Sequence, residues 1–414
     1  MVADRGGELQ CQVLSSHGVV LKWAELLCHM VNLAAASAGG SCARWQDAPF
    51  ISPRPTTLLS PTTIHHAHGL NNPYTFTMAS DHGQKTHLQK LAYGCLIKYL
   101  QEHENETIEI EILPPAIQPP DGILMQDGLS LGLPKKILVL AYLEARQQFF
   151  ENNQSADPSL VAGTLQATKI MLLFDPEHIT PANFRKRVLR QLEADHGYQT
   201  GSPHHKALQQ ELCFLNSILT SPLHRQSKSP TLWYHRSKVL DSLMAIELQN
   251  ASNDQTSAFW HRELDAVCKS GEQHPKNYHA WQYARRLYQK IETPNIHGEY
   301  ALRVRDWCCR HPSDISGWSF LMYLLSMIDS PSLKQELVQE VVKYAINLRS
   351  GHESLWVFIR TVLAQDVPHG EHLASYQLLQ AYTKELESTK RPNMARGSVI
   401  AALKWIETHA SSVE

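Results

Sequence analysis

Residues 277–285, Asn-Tyr-His-Ala-Trp-Gln-Tyr-Ala-Arg, contain a pattern that returns along the chain and decides its fold. Related patterns surround Trp233, Trp318 and Trp356, and the successive intervals between the four tryptophans are 48, 37 and 38 residues. A pattern that recurs at intervals of this length is typical of stacked structural repeats. We call it the tryptophan frame, and it predicts a repeat protein.

The residues before each tryptophan predict a pair of helices. Residues 259–267 place apolar side chains at helical spacing, and His274-Pro275 then interrupts the helix, because proline lacks the N–H group that continuation needs. Asn277 follows where its side-chain oxygen can cap the next helix, and Asp314 takes this place in the next unit. We therefore expect each tryptophan about one turn into the second helix of its pair.

A fifth, degenerate unit precedes the others. Residues 175–186 place Ala182 at the tryptophan position and Arg185 three residues later. The predicted fold is all-α, an α-α superhelix (solenoid) of about five helix-hairpin repeats. A short N-terminal strand and loop element precedes it, because residues 107–113 alternate apolar and polar side chains and prolines follow them.

Composition divides the chain into three predicted parts. Residues 1–83 are rich in Ser, Thr, Pro, Ala, Gly and His with weak periodicity, and we expect a disordered N-terminal tail. Residues 84–160 form an N-terminal helix-strand-helix segment. Residues 161–414 contain the helical repeats and a C-terminal cap.

Bulk properties narrow the class of protein. The net charge of −2 disfavours a general nucleic-acid binder, and the eight cysteines without CxxC spacing fit a reduced, cytoplasmic chain. Charged and polar residues interrupt the apolar run 19–36, so we expect no membrane span. His65, His66 and His68 are weak metal candidates in the predicted tail, and we expect no metal bound by this chain. No motif of a self-sufficient active site is present.

The frame residues are first of all structural candidates. We expect the tryptophans to pack at the junctions between units, where a buried indole stabilises the fold by roughly 1.5–3 kcal/mol or more. The frame arginines are expected to hydrogen-bond carbonyls or carboxylates of a neighbouring helix, the alternative being contact with a partner or an anionic ligand. The predicted structural residues are Trp233, Arg236, Trp281, Arg285, Trp318, Trp356 and Arg185, with Arg360 at a similar place.

Lys276 stands at the start of a predicted helix. Free N–H groups and the helix dipole make such a start favourable for anions, and a neighbouring ammonium strengthens it. The alternative is an exposed lysine in a turn.

The segment Pro275–Gln282 resembles the repeat of protein prenyltransferase α subunits, and the resemblance extends over about residues 165–365. Residues 108–150, 311–318 and 351–356 are similar to the subgroup of α-subunit repeat-containing proteins. The resemblance implies an α subunit that is inactive by itself and wraps a zinc-bearing β subunit, expected to be of the Rab geranylgeranyltransferase type.

The same resemblance implies roles for the residues around Trp281. Lys276 and Tyr278 match residues that contact the diphosphate of the prenyl donor, and Asn277 and His279 lie beside them as substrate-binding candidates. The prenyl group, expected to be geranylgeranyl, would pass to a C-terminal cysteine of an acceptor protein.

Several units depart from the family pattern, with Ala182 at the first tryptophan position, Leu321 in place of an arginine and Ser229-Pro230 before Trp233. The alternative function is an α-solenoid scaffold that binds other proteins and has no transferase role. The variable period and the tryptophan frame favour the α-subunit interpretation over a tetratricopeptide-like array, whose repeat is about 34 residues long.

Overall fold

The computed structural model describes residues 75–366, 373–388 and 396–410. These ranges are mostly helical, as predicted. The helices are α1 Thr75–Glu102, α2 Lys135–Asn152, α3 Pro158–Phe174, α4 Ile179–His196, α5 Pro203–Leu219, α6 His224–Ser227, α7 Pro230–Glu247, α8 Asn253–Gln273, α9 Tyr278–Tyr288, α10 Pro294–Arg310, α11 Ile315–Met327, α12 Pro331–Leu348, α13 Glu353–Asp366, α14 Leu373–Ser388 and α15 Arg396–Ala410.

The predicted strand is present and belongs to a small sheet. The strands are β1 Glu109–Leu113, β2 Met125–Asp127 and β3 Ser130–Pro134, in the order β1-β3-β2. β1 pairs in parallel with β3, and β2 pairs antiparallel with β3. The edge at β1 meets α5, because Ser217 and Ser221 accept hydrogen bonds from the backbone N–H groups of Ile108 and Ile110 at 2.9 and 2.7 Å. These bonds join the sheet to the helical array.

The repeats are helix hairpins, which confirms the predicted solenoid. The successive pairs are α3 with α4, α5 with α7, α8 with α9, α10 with α11 and α12 with α13. We call the place of the tryptophan, or of the alanine that replaces it in the first unit, the frame position. In each pair it lies in the first turns of the second helix, and its residue is at most 3% exposed. The five residues are Ala182, Trp233, Trp281, Trp318 and Trp356. Burial of this one position in every unit makes it the repeated element of the core.

The predicted caps of the second helices are also confirmed. The Asn277 side chain accepts a hydrogen bond from the backbone N–H of Ala280, and that of Asp314 accepts bonds from Ser316 and Gly317. Each cap satisfies N–H groups that the helix itself leaves free. The polar residue before the frame thus fixes where each second helix begins.

The N-terminal helix is longer than the sequence indicates. It begins at Thr75, whereas the predicted helix-strand-helix segment begins at residue 84. The remainder of the predicted tail, including His65, His66 and His68, lies outside the described residues. In the part that the structure describes, no helix combines the length and apolar character needed to cross a membrane.

Candidate functional site

The turn before α9 presents Lys276 in an unusual backbone conformation. Lys276 has φ +61°, and Arg349 is the other non-glycine residue with positive φ in the described ranges. Its backbone N–H donates to the Asp314 carboxylate at 2.6 Å, so the cap of α11 also holds this turn. A left-handed conformation costs a residue with a Cβ roughly 1–2 kcal/mol, and such costs cluster at functional sites. The Lys276 side chain is exposed and available to a ligand.

The tryptophan that follows this turn, Trp281, also differs from the other frame tryptophans in its hydrogen bonding. In three units the indole N–H donates to the carbonyl six residues earlier, at 2.7 to 3.0 Å, namely in those of Trp233, Trp318 and Trp356. The Trp281 N–H is buried and has no acceptor among the described residues. The corresponding carbonyl, that of Pro275, accepts a bond from Lys228 at 3.5 Å. The altered conformation at Lys276 directly follows that carbonyl, so the turn is built differently from its counterparts.

The hydrogen bonds of the Asn277 side chain are all made within the fold. Its side chain is fully buried, and its amide donates to the Ser227 carbonyl at 2.9 Å and to the Ser270 hydroxyl at 3.0 Å. Together with the cap on Ala280, these bonds use both ends of the amide. The geometry therefore gives Asn277 a structural role, and nothing in it supports the predicted substrate contact.

Tyr278 and His279 form the outward side of the turn. Tyr278 is 58% exposed, and its ring meets that of His279 edge to face with centroids 5.6 Å apart. Burial lowers the pKa of His279, the Arg286 charge lowers it further and Glu177 opposes the change. At pH 7 His279 is therefore mostly a neutral imidazole.

Sequence reasoning missed Glu177 and Lys228, which hold the same place as Lys276, five residues before the frame position of their units. The Glu177 carboxylate accepts hydrogen bonds from the hydroxyls of Ser229 and Thr231. Aligning the units on the tryptophan position would have found both residues. The Lys276 turn therefore has one acidic neighbour, Glu177, and one basic neighbour, Lys228.

Two frame arginines form buried ion pairs with a neighbouring helix, as predicted. They lie three residues after the frame position, and each binds a buried glutamate of the next first helix. Arg185 binds Glu211, with one bond of 2.8 Å, and Arg236 binds Glu263. All four side chains are at most 4% exposed. These pairs tie consecutive units together and leave no charge for a ligand.

His235 adds a hydrogen bond to the buried pair of Arg185 and Glu211. Its Nε2 donates to Glu211 at 2.7 Å. Burial alone would raise the pKa of Glu211, but the Arg185 charge and the bonds from His235 together lower it. Glu211 therefore stays ionised inside the protein.

The other two frame arginines lie four residues after the tryptophan and behave differently. Arg285 donates to the Ser319 hydroxyl at 2.8 Å, and Arg360 pairs with Glu353 of its own helix at 3.3 Å. The expectation of one shared role is therefore wrong for these two, because one further residue rotates a side chain by about 100° around the helix. Their place in the interior is taken by Ala284 and Ile359, which are buried.

Metal ligation has no support in the described ranges. No group of three or more His, Cys, Asp or Glu side chains there could hold a metal ion. The weak candidates His65, His66 and His68 lie outside these ranges.

Comparison with known proteins agrees with the repeat pattern. A family model described as the ECM9 middle domain matches residues 232–347. The geranylgeranyl transferase type-2 subunit alpha of Rattus norvegicus is 26% identical over 240 residues, and that of Homo sapiens is 27% identical over 239; each match covers 55% of this chain and 38% of the relative. The protein prenyltransferase alpha subunit repeat-containing protein 1-A of Xenopus laevis is 25% identical over 189 residues, covering 41% of this chain and 38% of that protein.

These matches confirm the predicted resemblance to prenyltransferase α subunits and to the repeat-containing subgroup. They span less than half of the length of each relative.

Proposed function

We propose that this chain is the α subunit of a heterodimeric protein prenyltransferase and has no activity by itself. The observation that carries the proposal is the Lys276 turn, in which a strained backbone presents an exposed lysine two residues before the exposed Tyr278 at the start of α9. The similarity to prenyltransferase α subunits supports the same conclusion.

Prenyl transfer from a diphosphate requires positive charge near the leaving group. In prenyl transfer the cysteine sulfur bonds to C1 of the prenyl group while the C1–O bond to diphosphate breaks, so negative charge grows on the leaving oxygen. Lys276 and the Tyr278 hydroxyl would stabilise that charge, and the N-terminal end of α9 adds its dipole. His279 is a further hydrogen-bonding group beside them. A zinc ion, which we expect in the β partner, would hold the acceptor cysteine as thiolate.

The partner and substrates follow from the named relatives and belong to the proposal. Because several relatives are type-2 geranylgeranyl transferase subunits, we propose a β subunit of the Rab type and geranylgeranyl diphosphate as donor. The acceptor would be a protein with a C-terminal cysteine, and the complex would work in the cytoplasm.

The test is co-expression of the full chain with a tagged β subunit of the Rab type. We expect a one-to-one complex that transfers labelled geranylgeranyl to acceptors ending in cysteine and loses this activity when zinc is chelated. If no β subunit co-purifies, the α-subunit function is refuted and the scaffold alternative takes its place.

Two variants at one position separate charge from backbone strain. Lys276→Ala removes the ammonium and keeps a Cβ at φ +61°, whereas Lys276→Gly removes the ammonium and relieves the strain. We expect both variants to lower transfer roughly ten- to hundredfold, and Lys276→Gly alone to gain stability. Lys343→Ala, an exposed lysine of α12 paired with Glu340, is the control and should leave transfer unchanged. Normal transfer by Lys276→Gly would remove Lys276 from the mechanism.

A further inference from the structure

One of the frame arginines, Arg285, differs from the other three in its partners. Three of the four frame arginines pair with a carboxylate, namely Arg185, Arg236 and Arg360. Arg285 has no carboxylate within ion-pair distance among the residues that the structure describes. Its guanidinium donates to Ser319 and lies 5.8 Å from the ring centroids of Phe320 and Tyr323.

This charge is held in place but poorly compensated. Arg285 is partly buried, and burial lowers its pKa. A buried charge is costly unless it is paired, and rings and a hydroxyl replace only part of what a carboxylate or phosphate provides. An arrangement of this kind is completed when an anion binds.

Arg285 and Tyr278 share one side of α9. They are seven residues apart, which is close to two helical turns and about 10.5 Å along the axis. Their side chains are near enough to interact electrostatically. Lys276 lies two residues before Tyr278, so the ammonium, the phenol and the guanidinium succeed one another along the start of this helix.

We propose that Arg285 is a third ligand-binding residue of this site and binds the diphosphate group together with Lys276 and Tyr278. The proposal rests on the proposed function and, of the four frame arginines for which contact with an anionic ligand was the alternative expectation, assigns that contact to Arg285.

The surrounding charges favour this side of the helix. Glu177 faces His279, and a carboxylate there repels a diphosphate. Arg286 also lies toward His279 and partly offsets Glu177. On the side of Arg285, the neighbouring groups are Ser319, Tyr323 and Tyr278, and no carboxylate lies within ion-pair distance of Arg285 among the described residues. We therefore place the anion between Tyr278 and Arg285.

The test is calorimetric titration of the full chain with inorganic diphosphate, which requires no β subunit. A charge-assisted contact of this kind contributes roughly ten- to hundredfold in affinity, so we expect Arg285→Gln to weaken binding by that factor. Arg285→Lys, which keeps the charge and loses the planar fork, should lie between. The matched control is Arg360→Gln, at the equivalent frame position but paired with Glu353, and it should bind as the wild type does.

The outcomes separate this proposal from the function on which it rests. Equal affinity of Arg285→Gln and wild type, no measurable diphosphate binding by the wild type, or equal binding of sulfate at matched ionic strength would each overturn the role of Arg285. Failure to co-purify a β subunit would refute the α-subunit function, whatever the titration gives. Should Arg285→Gln lose its helical circular dichroism, Ser319→Ala serves instead, and it must weaken diphosphate binding for the proposal to stand.

Discussion

Replacing Arg236 by methionine should be among the most destabilising single changes in this protein. Arg236 donates five hydrogen bonds, two to Asn216, two to Glu263 and one to the Tyr283 hydroxyl. In Arg236→Met, Glu263 stays buried without its guanidinium partner, and the Tyr283 hydroxyl at 2.5 Å is its remaining partner from this network. Removing one member of a buried ion pair typically costs about 3–5 kcal/mol, and we expect a loss in this range.

The assay is urea unfolding of the full chain followed by far-ultraviolet circular dichroism, with the loss taken from the shift in midpoint. Arg262→Met is the control, because its side chain is 70% exposed and 3.5 Å from Glu247, and such pairs contribute less than about 1 kcal/mol. The double variant Arg236→Met/Glu263→Leu should recover much of the loss, since no uncompensated charge remains. Equal losses in Arg236→Met and Arg262→Met would refute the reasoning, as would a double variant that equals the sum of its singles.

Three further changes test other parts of the interior. Gly317→Ala would place a Cβ 2.6 Å from Trp307, and we expect a loss of about 1–3 kcal/mol in urea unfolding. Burial, assisted by Arg185, lowers the pKa of Lys169 to about 8, so stability should rise with pH from about 8 to the unfolded value near 10.4. Lys169→Met should abolish that rise and add on the order of 1–3 kcal/mol at pH 7, measured by the same unfolding assay. Because the pKa of Glu211 is lowered in the fold, its stabilisation is present above about pH 4.3 and is lost on further acidification; Glu211→Gln should flatten the dependence of the urea midpoint on pH between about 3 and 5.

The helix pairs could be predicted from the sequence because their signals are local. A proline break, a capping Asn277 or Asp314 and a tryptophan lie within a few residues of one another, so spacing alone places the buried side chain. The partners of the arginines could not be predicted in this way. Glu211 lies 26 residues from Arg185 and Glu263 lies 27 from Arg236, on the first helices of the next units. Which carboxylate meets an arginine depends on how two hairpins pack.

The candidate site, like the fold, could be predicted from the sequence only in part. A helix start with a lysine is visible in the sequence, whereas the positive φ of Lys276 and the hydrogen bond from its N–H to Asp314, the cap of the following unit, are seen only in the structure. Asn277 reads as a polar group at the site, yet the fold buries it among Ser227 and Ser270. A residue type that suits both a cap and a ligand can be assigned only when its neighbours are known.

The units of the array are not equivalent, and their differences converge on one of them. Interior arginines join the first junctions at Arg185 and Arg236, whereas Ala284, Leu321 and Ile359 make the later junctions apolar. The change falls in the unit of Trp281. There the arginine lies one position later, as it does again in the unit of Trp356, the indole lacks the acceptor that the other three frame tryptophans have, and Lys276 adopts a left-handed backbone.

The left-handed backbone of Lys276 and the buried Trp281 N–H without an acceptor among the described residues each lower the stability of the unit. Natural sequences break local rules of this kind mainly where function requires it. An array that only displayed a surface to other proteins would not need, within the described residues, a left-handed lysine, an indole without an acceptor and an arginine without a carboxylate partner along one short helix. The concentration at α9 therefore favours an anionic ligand at this helix over a scaffold with equivalent repeats.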